Sequence, residues 1–200
     1  LLIYDNEGYR TDKDGPGKIK AMGLDLKRSD TPKIVQDFLS NILTGVLTGD
    51  DRDTALEKVK LFKEEFMQKQ GWEKGSPRRA NNMTKFQALE QRQGRANMPG
   101  HVRASMNWNR LRKMNSDRYS TEIKDGHKVI VCKMKANPLG YTSVAYPVDE
   151  PHLPQWFKEL PFDDSAMEST VIDSKINNLL DVLGWDLTLD SNTNTKFNDL

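Results

Sequence analysis

The sequence is poor in the residues that build disulfides and metal sites. It has one cysteine, Cys132, and three histidines. A single cysteine excludes an intrachain disulfide and a zinc cluster of cysteines, so the chain fits a reducing, cytosolic compartment. His101, His127 and His152 lie far apart without metal-ligand spacing, and we expect surface or hydrogen-bonding roles for them. Cys132 falls within an apolar run, where it is expected to pack.

Long apolar runs and nucleotide-binding loops are missing too. No apolar stretch approaches the roughly 18 residues that a membrane span needs, and the first residues do not have the shape of a signal peptide. No Gly-Lys-Ser or Gly-Lys-Thr sequence occurs, which excludes a Walker-type phosphate loop. The acidic pairs at 50–51 and 163–164 stand where helix capping explains them better than metal or acid catalysis. We therefore predict no catalytic residue and no metal ligand in this chain.

The length and composition of the chain limit the number of domains that it can form. The chain has 200 residues, of which 36% are hydrophobic and 30% charged. This length suits one domain, or one domain with a piece of another, and the aromatic residues suffice for a core. Leu1 is not a methionine and begins a strand-like run, so we expect the chain to start inside a larger protein.

Positive charge is concentrated in one segment. Residues 78–113 contain nine arginines or lysines and one acid, a net charge of about +8, whereas residues 149–200 contain eleven acids and three lysines, a net charge of about −8. Such a concentration is typical of proteins that bind a phosphate backbone. A solvated surface would explain the charge alone, but asparagines and aromatic residues are interspersed, and these residue types contact sugars, bases and phosphates.

The fold class predicted is α+β. Residues 1–28 form turn-separated extended runs, which predict a hairpin that needs a neighbouring sheet. Two amphipathic helices follow, the first after a cap at 29–31 and the second after the TGDDRD turn. Their short connection predicts an antiparallel pair. A third helix is expected from a cap at 163–165 to Gly184, completing a helical stem.

The middle of the chain predicts a small β subdomain beside that stem. Strands are expected at Val129–Val131 and in the run that ends at Pro147. A helix is expected from Asn82 onward, while HVRASMNWNRL fits either a strand or a helix. The last residues, 190–200, read as a polar linker ending in Phe197 and Leu200.

Several ordered motifs resemble one known family. SDTPKIVQ, FKEEF, ANNMTKF, HVRASMNWNR, KVIVCKMKANPLG and VAYP look, in this order, like the C-terminal thumb of the family B replicative DNA polymerases of T-even bacteriophages. LLIYDNEG and KIKAMGL resemble the last strands of the palm domain. The resemblance implies palm edge at 1–28, thumb at 29–189 and a flexible tail at 190–200. It also implies a DNA-directed DNA polymerase acting in the host bacterial cytoplasm, whose catalytic aspartates, Mg²⁺ and exonuclease lie outside this sequence.

The resemblance further implies that the chain holds primer-template duplex. It would do so through contacts with the DNA backbone and minor groove, without preference for a DNA sequence. It places DNA contacts in the basic segment, and the tail resembles a sliding-clamp peptide anchored by Phe197 and Leu200. Which of Arg92 and Arg95 reaches DNA stays open, because the loop around them is longer than in the family. A free-standing nucleic-acid-binding or replication-assembly protein is the alternative. The DNA-binding residues expected are Arg78, Arg79, Asn81, Asn82, Lys85, His101, Arg103, Asn109 and Arg110.

Overall fold

The computed structural model describes residues 25–93 and 97–185 in full, and before them the backbone of four two-residue strands. Strand β1 (Leu2–Ile3) pairs antiparallel with β4 (Ile19–Lys20), and β2 (Thr11–Asp12) pairs with β3 (Gly15–Pro16). These nested pairs confirm the predicted hairpin. Its DNEG turn lies outside the described residues.

The chain divides into two compact units. The first comprises Leu1–Lys27, Lys33–Glu64 and Ile172–Leu200, and the second comprises Arg28–Pro32 and Glu65–Val171. The helices are α1 (Lys33–Thr48), α2 (Arg52–Gln68), α3 (Met83–Gln93), α4 (Gly100–Met114), α5 (Gln155–Lys158), α6 (Asp164–Glu168) and α7 (Ser174–Leu183). A π-helical segment, Ser169–Asp173, joins α6 to α7, and short 3-10 turns occupy Asp25–Lys27 and Gly71–Lys74. The remaining strands are β5 (Ser76–Arg79), β6 (Lys128–Lys133) and β7 (Ser143–Pro147).

In the first unit, the apolar stripes of α1 and α2 are buried as their periodicity predicts. The rings of Phe38 and Phe62 stack with centroids 3.9 Å apart, and Lys58 pairs with Asp50 in the connection between the helices. Because Phe38 lies early in α1 and Phe62 late in α2, these contacts confirm the antiparallel pair. The buried residues of this stripe include Val35, Leu39, Ile42, Leu43, Ala55, Val59 and Phe62.

The third predicted helix is also confirmed. The Asp163 side chain accepts a hydrogen bond from the Ala166 amide, and Gly184 ends the helix in the left-handed conformation, with φ 70°. The π-helical segment was not predicted.

The second unit is built on a three-stranded antiparallel sheet in the order β5-β6-β7. Residues 100–114 are a helix, α4, which settles the alternative left open by their sequence. Trp108 of α4 is fully buried in the core of this unit, with its ring 5.1 Å from that of Trp156 and 5.2 Å from that of Phe157. Cys132 is buried in β6, as predicted.

Strand β5 was not predicted, because Pro77 within it is more typical of a break in regular structure. Pro77 pairs in register with Ile130, Arg78 with Val129 and Arg79 with Lys128. The strand lies at the edge of the sheet, where a residue without an N–H group is tolerated. This strand fixes the positions of the first two arginines of the basic segment.

Candidate nucleic-acid interface

Arg78 is held in an ion cluster with two residues from an earlier segment of the chain. Its Nη1 atom lies 3.0 Å from Asp30 Oδ2 and donates to the Asp30 carbonyl at 3.2 Å. Arg28 donates to the same carboxylate through Nε and Nη2, each at 3.0 Å. Two guanidinium groups on one carboxylate leave the cluster positive overall, so it can still attract an anion.

His101 lines an open cleft with this cluster. Arg28, Ser29, Asp30, Arg78 and His101 surround the cleft. Burial and then the nearby charge of Arg78 hold the pKa of His101 below its ordinary value, so the imidazole is neutral at neutral pH. His101 therefore offers hydrogen bonding here rather than charge. Sequence reasoning missed Arg28, because it precedes the basic segment by fifty residues and stands in no motif.

The connection between β5 and α3 presents two asparagines. Asn81 and Asn82 are both exposed, whereas Ala80 and Met83 on either side are buried. Asn82 has φ 62°, in the left-handed region that asparagine tolerates better than most residues. Lys85 is exposed on the first turn of α3. The structure thus displays one cation and two amides on a short surface segment.

A turn before β6 holds that segment in place. The Asp125 carboxylate accepts hydrogen bonds from the backbone amides of Met83 and Thr84 and from the Thr84 hydroxyl. The Met83 amide, foremost among these donors, keeps the pKa of Asp125 below its usual value. The next residue, Gly126, donates to the Ala80 carbonyl at 2.7 Å and accepts from Arg79 Nη1 at 2.9 Å.

Helix α4 contributes a second basic face. Arg103, Asn107 and Arg110 recur at the spacing of one helical face and line a groove with Glu90 and residues 139–142. Arg110 forms an ion pair with Glu90 of α3 and donates weakly to Asn107 at 3.4 Å. The only acid of the basic segment therefore neutralises one of its arginines.

Asn109 belongs to the interior rather than to this surface. It is 8% exposed, its Nδ2 donates to the Ile123 carbonyl at 2.8 Å, and its Oδ1 accepts from the Ile123 amide at 2.9 Å. The neighbouring Trp108 is buried and donates to the Thr121 carbonyl. Asparagine and tryptophan within a basic run favour nucleic-acid contact, but on α4 these two positions face the core. The expected DNA contact at Asn109 is therefore not part of the surface defined by the structure.

Other expected positions are either exposed or undescribed. Arg92 is exposed on α3, while Arg95, Phe197 and Leu200 lie outside the described residues.

Neither a metal cluster nor a membrane span is found in the part of the chain that the structure describes. Within 25–93 and 97–185, no group of three or more histidines, cysteines, aspartates or glutamates is placed to hold a metal ion. No helix in those ranges combines the length and apolar character that crossing a membrane requires.

The described residues thus display cations and amides on the surface of an α+β unit, an arrangement whose positive charge attracts anions. The curated proteins that match the chain are DNA-directed DNA polymerases of bacteriophages. The polymerase of Escherichia phage RB69 is 31% identical over 153 residues, and that of Enterobacteria phage T4 is 27% identical over 148 residues. Each match covers 74% of this chain and 16% of the relative. No family model matches.

The similarity necessarily includes the basic segment. A match of 148 residues within a chain of 200 must cover residues 53–148, wherever it begins. That interval contains β5, α3, α4 and the sheet. The chain is therefore similar, over its central residues, to a segment of phage DNA-directed DNA polymerases, and it spans about a sixth of their length.

Proposed function

We propose that the chain is the C-terminal thumb of a phage family B DNA polymerase, with residues 1–28 as the last strands of the palm. Its role is to hold primer-template duplex during replication in the host bacterial cytoplasm. The observation that carries the proposal is the similarity to two phage polymerases across the whole basic segment. The exposed cations and amides of that segment support it.

Different side chains of the surface contact different parts of the DNA. Arg79, Lys85 and Arg103 contact phosphates, which gives affinity without sequence preference. Asn81 and Asn82 donate to the minor-groove acceptors that all base pairs share, so that any correctly paired duplex is accepted. Arg78 and His101 line a cleft with the positive cluster around Asp30.

Binding of the full chain to a duplex with a recessed 3′ end tests the proposal. Fluorescence anisotropy is measured from about 50 to 200 mM salt with two unrelated sequences. If about three to five phosphates are contacted, log K falls with log salt with a slope of about −2.7 to −4.5, equal for both sequences. Absence of binding at the lowest salt, or a strong preference for one sequence, would contradict the proposal.

Variants separate phosphate contacts from groove contacts. Arg103→Ala is expected to reduce the slope by about 0.9, because one phosphate contact is lost. Asn82→Gly tolerates the left-handed backbone and removes the side-chain amide without changing any charge, so it lowers affinity and leaves the slope unchanged. Lys60→Ala, an exposed cation on α2 in the first unit, is the control and leaves both quantities unchanged.

The complete enzyme needs a palm with its catalytic aspartates and Mg²⁺, in the same chain or in a partner chain, and an exonuclease domain accompanies it in the family. Intact mass of the purified protein, with identification of copurifying chains, distinguishes a polymerase from a free-standing nucleic-acid-binding protein. A palm-bearing partner or a longer chain supports the polymerase. A 200-residue protein without partners supports the alternative.

The tail, residues 190–200, is proposed to bind a sliding clamp through Phe197 and Leu200. Deletion of these residues is expected to lower clamp-dependent synthesis and to leave clamp-free synthesis unchanged. Equal losses in both assays would contradict the clamp role.

A further inference from the structure

Asp125 is an acidic residue in contact with a segment that otherwise displays cations and amides. Its carboxylate is exposed and ionised at neutral pH, because hydrogen bonds from Met83 and Thr84 stabilise the charged form. By charge alone it would repel a polyanion. Its contacts, however, all go to the segment that presents Asn81 and Asn82.

We propose that Asp125 is a positioning residue that holds the Asn81–Asn82 loop in the conformation that contacts nucleic acid. This inference rests on the proposed function, because it concerns the same surface. The carboxylate caps the N-terminus of α3 from a different part of the chain, where a negative charge is favoured by the helix dipole.

The contacts leave little freedom to the two asparagines. On one side, the Ala80 amide donates to the His127 carbonyl at 2.9 Å and the Ala80 carbonyl accepts from the Gly126 amide at 2.7 Å. On the other side, Asp125 fixes the Met83 amide. Buried Ala80 and Met83 anchor both ends of the exposed pair. A side chain that must reach groove acceptors gains affinity when its backbone is fixed before binding.

Three substitutions at Asp125 separate geometry from charge. Asp125→Asn removes the charge and keeps one side-chain oxygen that can accept from the Met83 amide, the principal capping contact, so duplex binding is expected to equal or exceed that of the parent chain. Asp125→Glu keeps the charge but displaces the carboxylate by one methylene, and Asp125→Ala removes both. Both of these are expected to weaken binding about threefold to tenfold, the range that corresponds to loss of a cap, with an unchanged salt slope.

Coupling to Asn82 shows whether Asp125 acts through the loop. On the Asn82→Gly background, Asp125→Glu is expected to weaken binding by a smaller factor than in the parent chain, because one of the two asparagine contacts that Asp125 positions is already absent. The control is Glu122→Ala, which removes an exposed acid three residues upstream. It is expected to leave affinity unchanged or slightly raised.

The outcomes are decisive in both directions. Weaker binding by the Glu variant, normal binding by the Asn variant and a smaller effect on the Asn82→Gly background support the proposal. Normal or tighter binding by a folded Glu variant overturns it, and so does an equal loss on both backgrounds. If the parent chain itself does not bind duplex, the proposed function fails. If Asn82→Gly weakens binding and Asp125→Glu does not, only the positioning role fails.

Discussion

The guanidinium of Arg110 on α4 forms an ion pair with the carboxylate of Glu90 on α3. The side chains are 38% and 30% exposed, so a polyanion can approach the pair. Glu90 therefore reduces the effective charge of the groove that also contains Arg103.

Removing that acid is expected to strengthen duplex binding. Glu90→Gln releases Arg110 for one further phosphate contact, so the magnitude of the salt slope rises by up to about 0.9. Anisotropy titrations over a salt series measure the change. Glu57→Gln, an exposed acid of the first unit, is the matched control. An unchanged slope in the Glu90 variant would show that Arg110 does not reach DNA.

Asn109 is expected to matter for stability rather than for binding. Asn109→Ala leaves the Ile123 amide and carbonyl without their side-chain partners in a buried place, which costs about 2–4 kcal/mol of unfolding free energy. Chemical denaturation measures the loss, with the exposed Asn177→Ala of α7 as control. The folded variant should retain the parent's salt slope. A changed salt slope in a variant of unchanged stability would instead indicate that Asn109 contacts DNA.

Gly75 and Gly100 differ in the space around them. A Cβ atom at Gly75 would lie 2.5 Å from Ile130 Cγ2 and 2.8 Å from Cys132 Sγ, whereas one at Gly100 would meet nothing within 4 Å. Gly75→Ala is therefore expected to destabilise the second unit by about 1–3 kcal/mol through overpacking. Gly100→Ala should be nearly neutral in the same thermal-unfolding assay. Equal losses of stability at the two sites would contradict the close packing of Gly75 against Ile130 and Cys132 of β6.

Acid stability is expected to depend on Asp117. Burial opposes its ionisation, but hydrogen bonds from Ser120, Trp156 and the Tyr119 amide lower its pKa to about 2 from 3.8. A depressed folded-state pKa contributes stability above pH 3.8 that is lost as the pH falls towards 2.

Asp117→Asn should remove that pH dependence, at a cost of about 1–2 kcal/mol near pH 5 that disappears near pH 2. Denaturant titrations at the two pH values measure it, and Asp149→Asn at an exposed position is the control. If the difference in unfolding free energy between Asp117→Asn and the parent chain were the same at both pH values, the stability would not depend on ionisation of Asp117.

The elements with strong local patterns were predictable, and those decided by distant contacts were not. The stripes of α1 and α2, the Asp163 cap and the β-branched run of β6 each follow from periodicity or propensity within a few residues. The strand role of Ser76–Arg79 depends on pairing with Lys128 to Val131, about fifty positions later.

The candidate site shows the same division. Asn81, Asn82 and Lys85, which the sequence placed among the expected DNA contacts, are exposed. Asn109 looked equivalent to them in composition, yet its rotation on α4 turns it towards Ile123. Arg28 carries no local signal, because only the fold brings the Arg28–Asp30 pair to Arg78.

Strand β5 also limits the deletions that this chain can tolerate. Successive strand residues face opposite sides of a sheet, so Arg78 turns to Asp30 and Arg79 to Gly126. Deletion of one residue between Gly71 and Ser76 would shift the register and exchange the two arginines between faces. Substitutions at either arginine remove one contact, whereas a single deletion upstream would misdirect both.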